Sequence, residues 1–366
     1  MIWNYLKKTA KIICNCICFA INSTSYLRKT KPIDTFAVQK ILLINLQGIG
    51  DIVMTTAFLR ALKEKWPDAQ IDYLCYKNNG ELLEQDFRIT KIFKRNKEGI
   101  FNIDFIQMLK KIRTERYDIV INLFPAQHSA LLTLFSNAEY KLGNLYGTVA
   151  TSNNLTVPDM PHTWDIRENA KHIALQLQLE EYDEADLSLE ITEKLTDAKL
   201  KNSIAINPFA TWKSKNWPQE RWVELIQQLL KTWKGYLVIL GGPHDVAQSK
   251  IIEKIINNKR VINKTGQLTL KQTAAVLKHS QLFITTDSGL LHIAIAMQTK
   301  TVALFGVTDP DILVSGANNL EICSSYSECP KKYQFNHNNE PHDYAQECMK
   351  KITIDEVISK IKGMLK

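Results

Sequence analysis

The chain has 366 residues, a net charge of +8 and 45% apolar residues. This leaves room for two domains of ordinary size and enough apolar material for a core in each, which excludes a disordered or fibrous protein. Residues 1–38 carry six cations against Asp34, a net +5, so the remaining chain is nearly balanced and a protein-wide nucleic-acid surface is not expected.

The arm 1–38 also holds Ile12, Ile13, Ile17, Phe19 and Ile21, after Trp3, Tyr5 and Leu6. Its apolar run is too short to span a bilayer. Lysines precede it as in a signal peptide, but Asn15 interrupts it and no small-x-small cleavage site follows. A basic amphipathic segment lying on an anionic membrane surface is the expected role. A helix packed on the body of the protein is the alternative. The seven cysteines are odd in number and scattered, which does not suggest a disulfide framework and fits a reducing cytoplasm.

From Lys40 onward short apolar segments alternate with amphipathic ones. Strands are predicted at 41–46, 70–75, 89–93 and 118–122, with helices near 51–65, 101–115 and 127–135. Residues 143–165 read as an irregular loop, 166–179 as a helix, and 180–190 as an acidic stretch without period. A second series predicts strands at 203–207, 236–240, 260–262, 281–285 and 300–304. Its helices fall at 219–232, 245–257, 270–278 and 289–297. Residues 323–348 read as irregular, and Ile354–Leu365 as a closing amphipathic helix. Such alternation predicts two doubly wound α/β domains, 39–195 and 196–366, with ligands at the carboxyl edges of the sheets.

The chemistry-bearing residues fall at those edges. In Gly48-Ile-Gly-Asp-Ile-Val, Gly48 and Gly50 allow a tight turn beside a substrate, and Asp51 stands where the helix begins. Asp51 is both a natural helix cap and a candidate general base, and the two roles are compatible. The turn is not a dinucleotide fingerprint. Val53 stands where a third glycine or alanine belongs, and Asp72, the candidate ribose contact, comes early in its strand.

In Thr286-Asp-Ser-Gly-Leu-Leu-His, Asp287, Ser288 and Gly289 form a strand-to-helix turn, and His292 lies one helical turn further on. A helix N-terminus of this kind binds phosphate. Capping by Asp287 and Ser288, and a structural role for His292, are the simpler alternatives. Thr211 and Lys215 lie in the loop 207–218, where a lysine can neutralise a leaving diphosphate or simply face solvent. Gly241 and Gly242 open another turn, and Gly306-Val-Thr-Asp-Pro closes the series. Cys323, Cys329, His337, His342 and Cys348 lack a paired Cys-x2–4-Cys knuckle, so a structural role is expected over a metal site.

Taken together, these motifs resemble the ADP-heptose:lipopolysaccharide heptosyltransferases, glycosyltransferase family 9. The resemblance runs from about Lys40 to the end. It rests on Gly-Ile-Gly-Asp-Ile-Val-Met-Thr-Thr at 48–56, Lys-Asn-Trp-Pro at 215–218 and Thr-Asp-Ser-Gly-Leu-Leu-His at 286–292. Gly-Val-Thr-Asp-Pro at 306–310 and Glu-Cys-Met-Lys-Lys-Ile-Thr at 347–353 complete it.

The resemblance implies a GT-B fold, two Rossmann-like domains facing across a cleft. The implied enzyme is inverting and metal-independent, and needs no cofactor. It implies Asp51 as general base, Lys215 as a lysine at the donor diphosphate, and Asp287, Gly289 and His292 as donor-binding. Thr211 falls near a phosphate-contacting threonine. Asp245 is the nearest candidate for the family's ribose-binding acid, which has no sure counterpart here. The implied reaction moves heptose from ADP-L-glycero-D-manno-heptose to a hydroxyl of the lipopolysaccharide inner core. The acceptor is lipid-linked, and the enzyme is expected on the cytoplasmic face of the inner membrane. A family-9-like transferase with another nucleotide sugar, a GT-B-fold sugar-nucleotide epimerase and a non-catalytic nucleotide-sugar-binding protein are the alternatives.

Overall fold

The computed structural model describes Ile33 and residues 37–96, 103–123, 126–143, 166–330 and 346–366. The arm 1–32, residues 34–36, and most of the expected loop at 143–165 lie outside the described residues, as do His337 and His342. The chain divides between Glu184 and Ala185 into two compact units.

The first unit runs β1 (Lys40–Ile44), α1 (Ile49–Met54), α2 (Thr56–Lys65), β2 (Gln70–Tyr76), β3 (Lys91–Arg95), α3 (Ile103–Glu115), β4 (Ile119–Asn122), α4 (Gln127–Leu134), β5 (Tyr140–Gly143) and α5 (Ile166–Gln176). Its five strands are parallel in the order β3-β2-β1-β4-β5. Ile41 to Ile44 are fully buried. A strand in the middle of a parallel sheet is covered on both faces, which is why β1 is an unbroken apolar run. Leu42 and Ile44 pack with Leu74, Phe93, Met108 and Val120.

The helix expected over 51–65 is two helices. Thr55 Oγ1 donates to the Ile52 carbonyl at 2.8 Å and Thr56 Oγ1 to the Val53 carbonyl at 2.7 Å. Such back-bonding competes with the helical ladder and bends the chain. The sequence reading missed β5, a four-residue edge strand.

The second unit runs β6 (Ile204–Asn207), α6 (Gln219–Thr232), β7 (Leu237–Ile239), α7 (Val246–Ile256), β8 (Val261–Asn263), α8 (Leu270–His279), β9 (Leu282–Thr286), α9 (Gly289–Ala296), β10 (Thr301–Phe305), α10 (Pro310–Leu313), β11 (Leu320–Ser324), α11 (Glu347–Lys351) and α12 (Ile354–Met364). Its six strands are parallel in the order β11-β10-β9-β6-β7-β8. This is the Rossmann arrangement, and the first unit has five strands of the same order. β11 occupies residues expected in part to be irregular. Leu320, Glu321 and Ile322 are half-buried, Cys323 is buried and Ser324 is exposed, so its apolar signal is weak.

One expectation is corrected here. Cys329 and Cys348 form a disulfide, with Cα atoms 5.2 Å apart across a sequence separation of 19. Both are buried and pack with Val307. A scattered count of cysteines hides such a pair, because the turn after β11 and the start of α11 meet only in the fold. The pairing removes the cysteine argument for a reducing compartment. Among the described residues no group of three or more His, Cys, Asp or Glu is placed to hold a metal ion. Among them, too, no helix is long and apolar enough to cross a membrane.

Candidate active site

In doubly wound sheets the strand order reverses between two neighbouring strands, and their carboxyl ends open a crevice. In the second unit those strands are β6 and β9. The loop after β6 carries Thr211 and Lys215, and the turn after β9 carries Asp287.

The loop's shape follows from its sequence. Asn216 Oδ1 accepts the Ala210 N–H at 2.7 Å, and its Nδ2 donates to the Ala210 carbonyl at 3.3 Å, so one side chain ties the loop shut. Trp217 is buried, stands edge-on to Trp222 at 5.2 Å, and donates from Nε1 to the Ile352 carbonyl at 3.0 Å. Pro218 then precedes α6. Lys-Asn-Trp-Pro is therefore a clamp, an anchor and a helix start that together fix the lysine before them.

Lys215 Nζ lies 2.6 Å from Asp287 Oδ2 and 4.9 Å from the Trp212 ring centroid. Thr308 Oγ1 donates to the same carboxylate oxygen at 2.8 Å. Burial pushes the Asp287 carboxyl up, but the Lys215 charge and hydrogen bond outweigh it, with His292 and Thr308 adding. The carboxyl is held below the usual carboxylate range. Lys215 is 19% exposed and Asp287 only 6%. An ammonium has three donors, so the bond to Asp287 leaves capacity for a further anion.

Beside this pair, Asn207 Nδ2 donates to Ser288 Oγ at 2.9 Å and to Thr285 Oγ1 at 3.3 Å. These bonds tie the end of β6 to the turn after β9. Ser288 is the residue before α9 and makes no side-chain cap, so its hydroxyl belongs to this tie. The first N–H groups of α9 lie at half-buried Gly289 and Leu290, and His292 is buried behind them. Thr211 is exposed on the rim of the loop.

The turn after β7 has two dissimilar glycines. A side chain at Gly241 would put its Cβ 2.7 Å from Phe209 and 3.0 Å from Thr265, so packing alone demands glycine there. Gly242 is exposed, with only Asp245 Oδ2 near its Cβ direction, at 3.6 Å. Asp245 turns back and accepts the Gly242 N–H at 2.8 Å. Burial raises its carboxyl, with that hydrogen bond and His244 opposing.

In the first unit the reversal falls between β1 and β4. Asp51 follows β1 in the first turn of α1, where its Oδ2 accepts the Gly48 N–H at 3.0 Å. Asn45, buried at the end of β1, donates to the Asp51 carbonyl at 3.1 Å and to the Tyr73 hydroxyl at 3.2 Å. Thr55 and Tyr73 hydroxyls meet at 2.7 Å. Asp51 thus sits half-buried at the carboxyl edge, its cap bond made through one oxygen and its backbone pinned from below. Gly50 is half-buried beside it. Gly-x-x-Asp recurs as Gly242-Pro-His-Asp245 with the same capping bond, so capping alone does not distinguish the two aspartates.

Sequence reasoning did not single out Asn45, Asn207 or Thr308. The signal was present: each asparagine directly ends or follows a buried strand, and Thr308 lies in the turn after β10.

Residues 105–342 match the family model of glycosyltransferase family 9 (heptosyltransferase). The chain belongs to glycosyltransferase family 9. As a member it is a glycosyltransferase enzyme. It is 27% identical over 321 residues to lipopolysaccharide heptosyltransferase 3 of Escherichia coli, covering 79% of this chain and 90% of that protein. The fold is GT-B, shared with two solved structures. Glycosyl transferase family 9 from Veillonella parvula DSM 2008 superposes with a TM-score of 0.73 at 22% identity, covering 89% of this chain and 97% of the other. The E. coli ADP-heptose lps heptosyltransferase II gives 0.70 at 21%, covering 89% and 98%.

Proposed function

We propose that this family 9 enzyme transfers heptose from ADP-L-glycero-D-manno-heptose to a sugar hydroxyl of the lipopolysaccharide inner core, with inversion at the anomeric carbon. Both E. coli proteins named above are lipopolysaccharide heptosyltransferases, which supports this substrate class over other nucleotide sugars. The observation that carries the mechanism is Lys215, held by Asp287 at the switch point of the second sheet beside the N-terminus of α9. A cation and a set of N–H donors in one place suit a departing diphosphate.

In this reading the acceptor oxygen attacks the anomeric carbon as the bond to the diphosphate oxygen breaks. Asp51 takes the hydroxyl proton. Lys215 and the first N–H groups of α9 receive the charge that develops on ADP, with Thr211 at the rim. Asp287 and Thr308 hold Lys215 in place. Gly242 leaves room for the nucleotide, and Asp245 is the candidate for its ribose. No metal step is needed, since lysine and helix N–H groups carry the charge. The arm 1–38 serves as an anchor on the cytoplasmic face of the inner membrane, near the lipid-linked acceptor. The test is transfer by purified protein from a panel of nucleotide sugars to truncated lipopolysaccharide acceptors. ADP-heptose should be preferred. Preference for another nucleotide sugar would overturn the substrate assignment.

A further inference from the structure

The outer face of α3 combines exposed apolar side chains with a group of cations. Ile103 is 73% exposed and Ile106 51% exposed. At their spacing they share one helical face with Lys110 and Arg113. Arg116, left-handed at φ +55°, ends the helix and extends the same cationic end.

Lys110, Arg113 and Arg116 line a shallow cleft of about 490 Å³ with Thr114 and Asn137. No carboxylate lines it. Among the described residues no ion pair neutralises the three cations. The nearby Glu115 is already taken by Lys40 and Lys91. Asp118 accepts the backbone N–H groups of Gln39 and Lys40 at 2.8 Å. Arg88, by contrast, is paired with Asp86 at 2.6 Å.

We propose that this face of α3 docks on an anionic lipid bilayer. The isoleucines enter the interface, and the cleft at the other end of the helix receives headgroup phosphates. Charge complementarity selects an anionic partner, and exposed isoleucines beside the cations select a lipid surface over a purely polar polyanion. The helix spans about 20 Å along the surface, at 1.5 Å per residue over 13 residues. Between two parallel strands a crossover helix begins at the carboxyl edge, so Ile103 lies at the same edge of the sheet as Asp51. This surface is separate from the arm 1–38 and does not depend on which sugar is transferred.

The test uses the full-length protein and sedimentation with vesicles of phosphatidylcholine, with or without phosphatidylglycerol, at low salt. Lys110→Gln/Arg113→Gln/Arg116→Gln should weaken binding to the phosphatidylglycerol vesicles at least tenfold, at roughly fivefold per cation near the surface. Ile103→Ser/Ile106→Ser should weaken it roughly threefold or more. All these side chains are exposed, so melting temperatures should match the wild type. Wild-type binding by either variant overturns the proposal. If only the charge variant loses binding, the face is a polyanion site and not a bilayer site. Equal binding of the wild type to both vesicle compositions overturns it as well.

Discussion

Lys215 and Asp287 are chemically interdependent. Removing the lysine alone strands a buried carboxylate, which costs about 3 kcal/mol or more. Lys215→Ala should therefore lower both turnover and the urea midpoint. Adding Asp287→Asn removes the stranded charge, so the double variant should recover stability while transfer stays low. Recovery of both together would mean that Lys215 acts only as a structural partner. Asp287 also sets an acid limit. A carboxyl held below the usual carboxylate range stabilises the fold above its ordinary value and loses the contribution as pH falls through the lower, folded value. At Asp51 the cap bond and the proposed base chemistry separate by substitution. Asparagine can still accept the Gly48 N–H, so Asp51→Asn should melt within about 0.5 kcal/mol of the wild type, whereas Asp51→Ala should cost about 1 kcal/mol.

At the level of elements, α4 brings a titrating group into the first unit. Burial, with Arg95 adding, pushes His128 down from 6.5 to about 4. The folded state binds the proton less well than the unfolded state. Stability should therefore be full above about pH 6.5 and decline toward pH 4, by up to about 3 kcal/mol. His128→Gln should flatten the melting curve across that window, and an unchanged slope would rule His128 out as its source. The Cys329–Cys348 bridge closes a loop of a size worth about 3 kcal/mol, so Cys329→Ala/Cys348→Ala should lower the denaturation midpoint accordingly. The buried strands β1, β6, β9 and β10 were legible because central parallel strands are continuous apolar runs. Strands β5 and β11 were not, since β5 has only four residues and β11 only one buried residue, so neither leaves a long apolar run. The turn motifs located Asp51, Lys215 and Asp287 at strand ends. The Lys215–Asp287 bond was not legible, because it joins residues 72 positions apart through a strand order that sequence does not state. Thr55 and Thr56 broke a helix through side-chain bonds that a hydrophobic period cannot register.

For the molecule as a whole, two Rossmann-like units bring separate chemistry to one chain. In the proposed mechanism the second supplies a cation and helix N–H groups at its switch point, and the first a carboxylate at its own. Neither half performs transfer alone in this account, so each half expressed separately should be inactive. In the proposed mechanism the charge on a departing diphosphate is met by Lys215 and α9, so activity should persist in EDTA. Loss in EDTA with rescue by a divalent ion would replace that part of the mechanism. The most direct test of the central claim is the transfer rate from ADP-heptose to a truncated inner-core acceptor, measured in EDTA for wild type and Asp51→Asn. The account predicts heptosylated product from the wild type and a rate lower by about 10²–10⁴-fold in the folded variant. Near wild-type transfer by Asp51→Asn would contradict it.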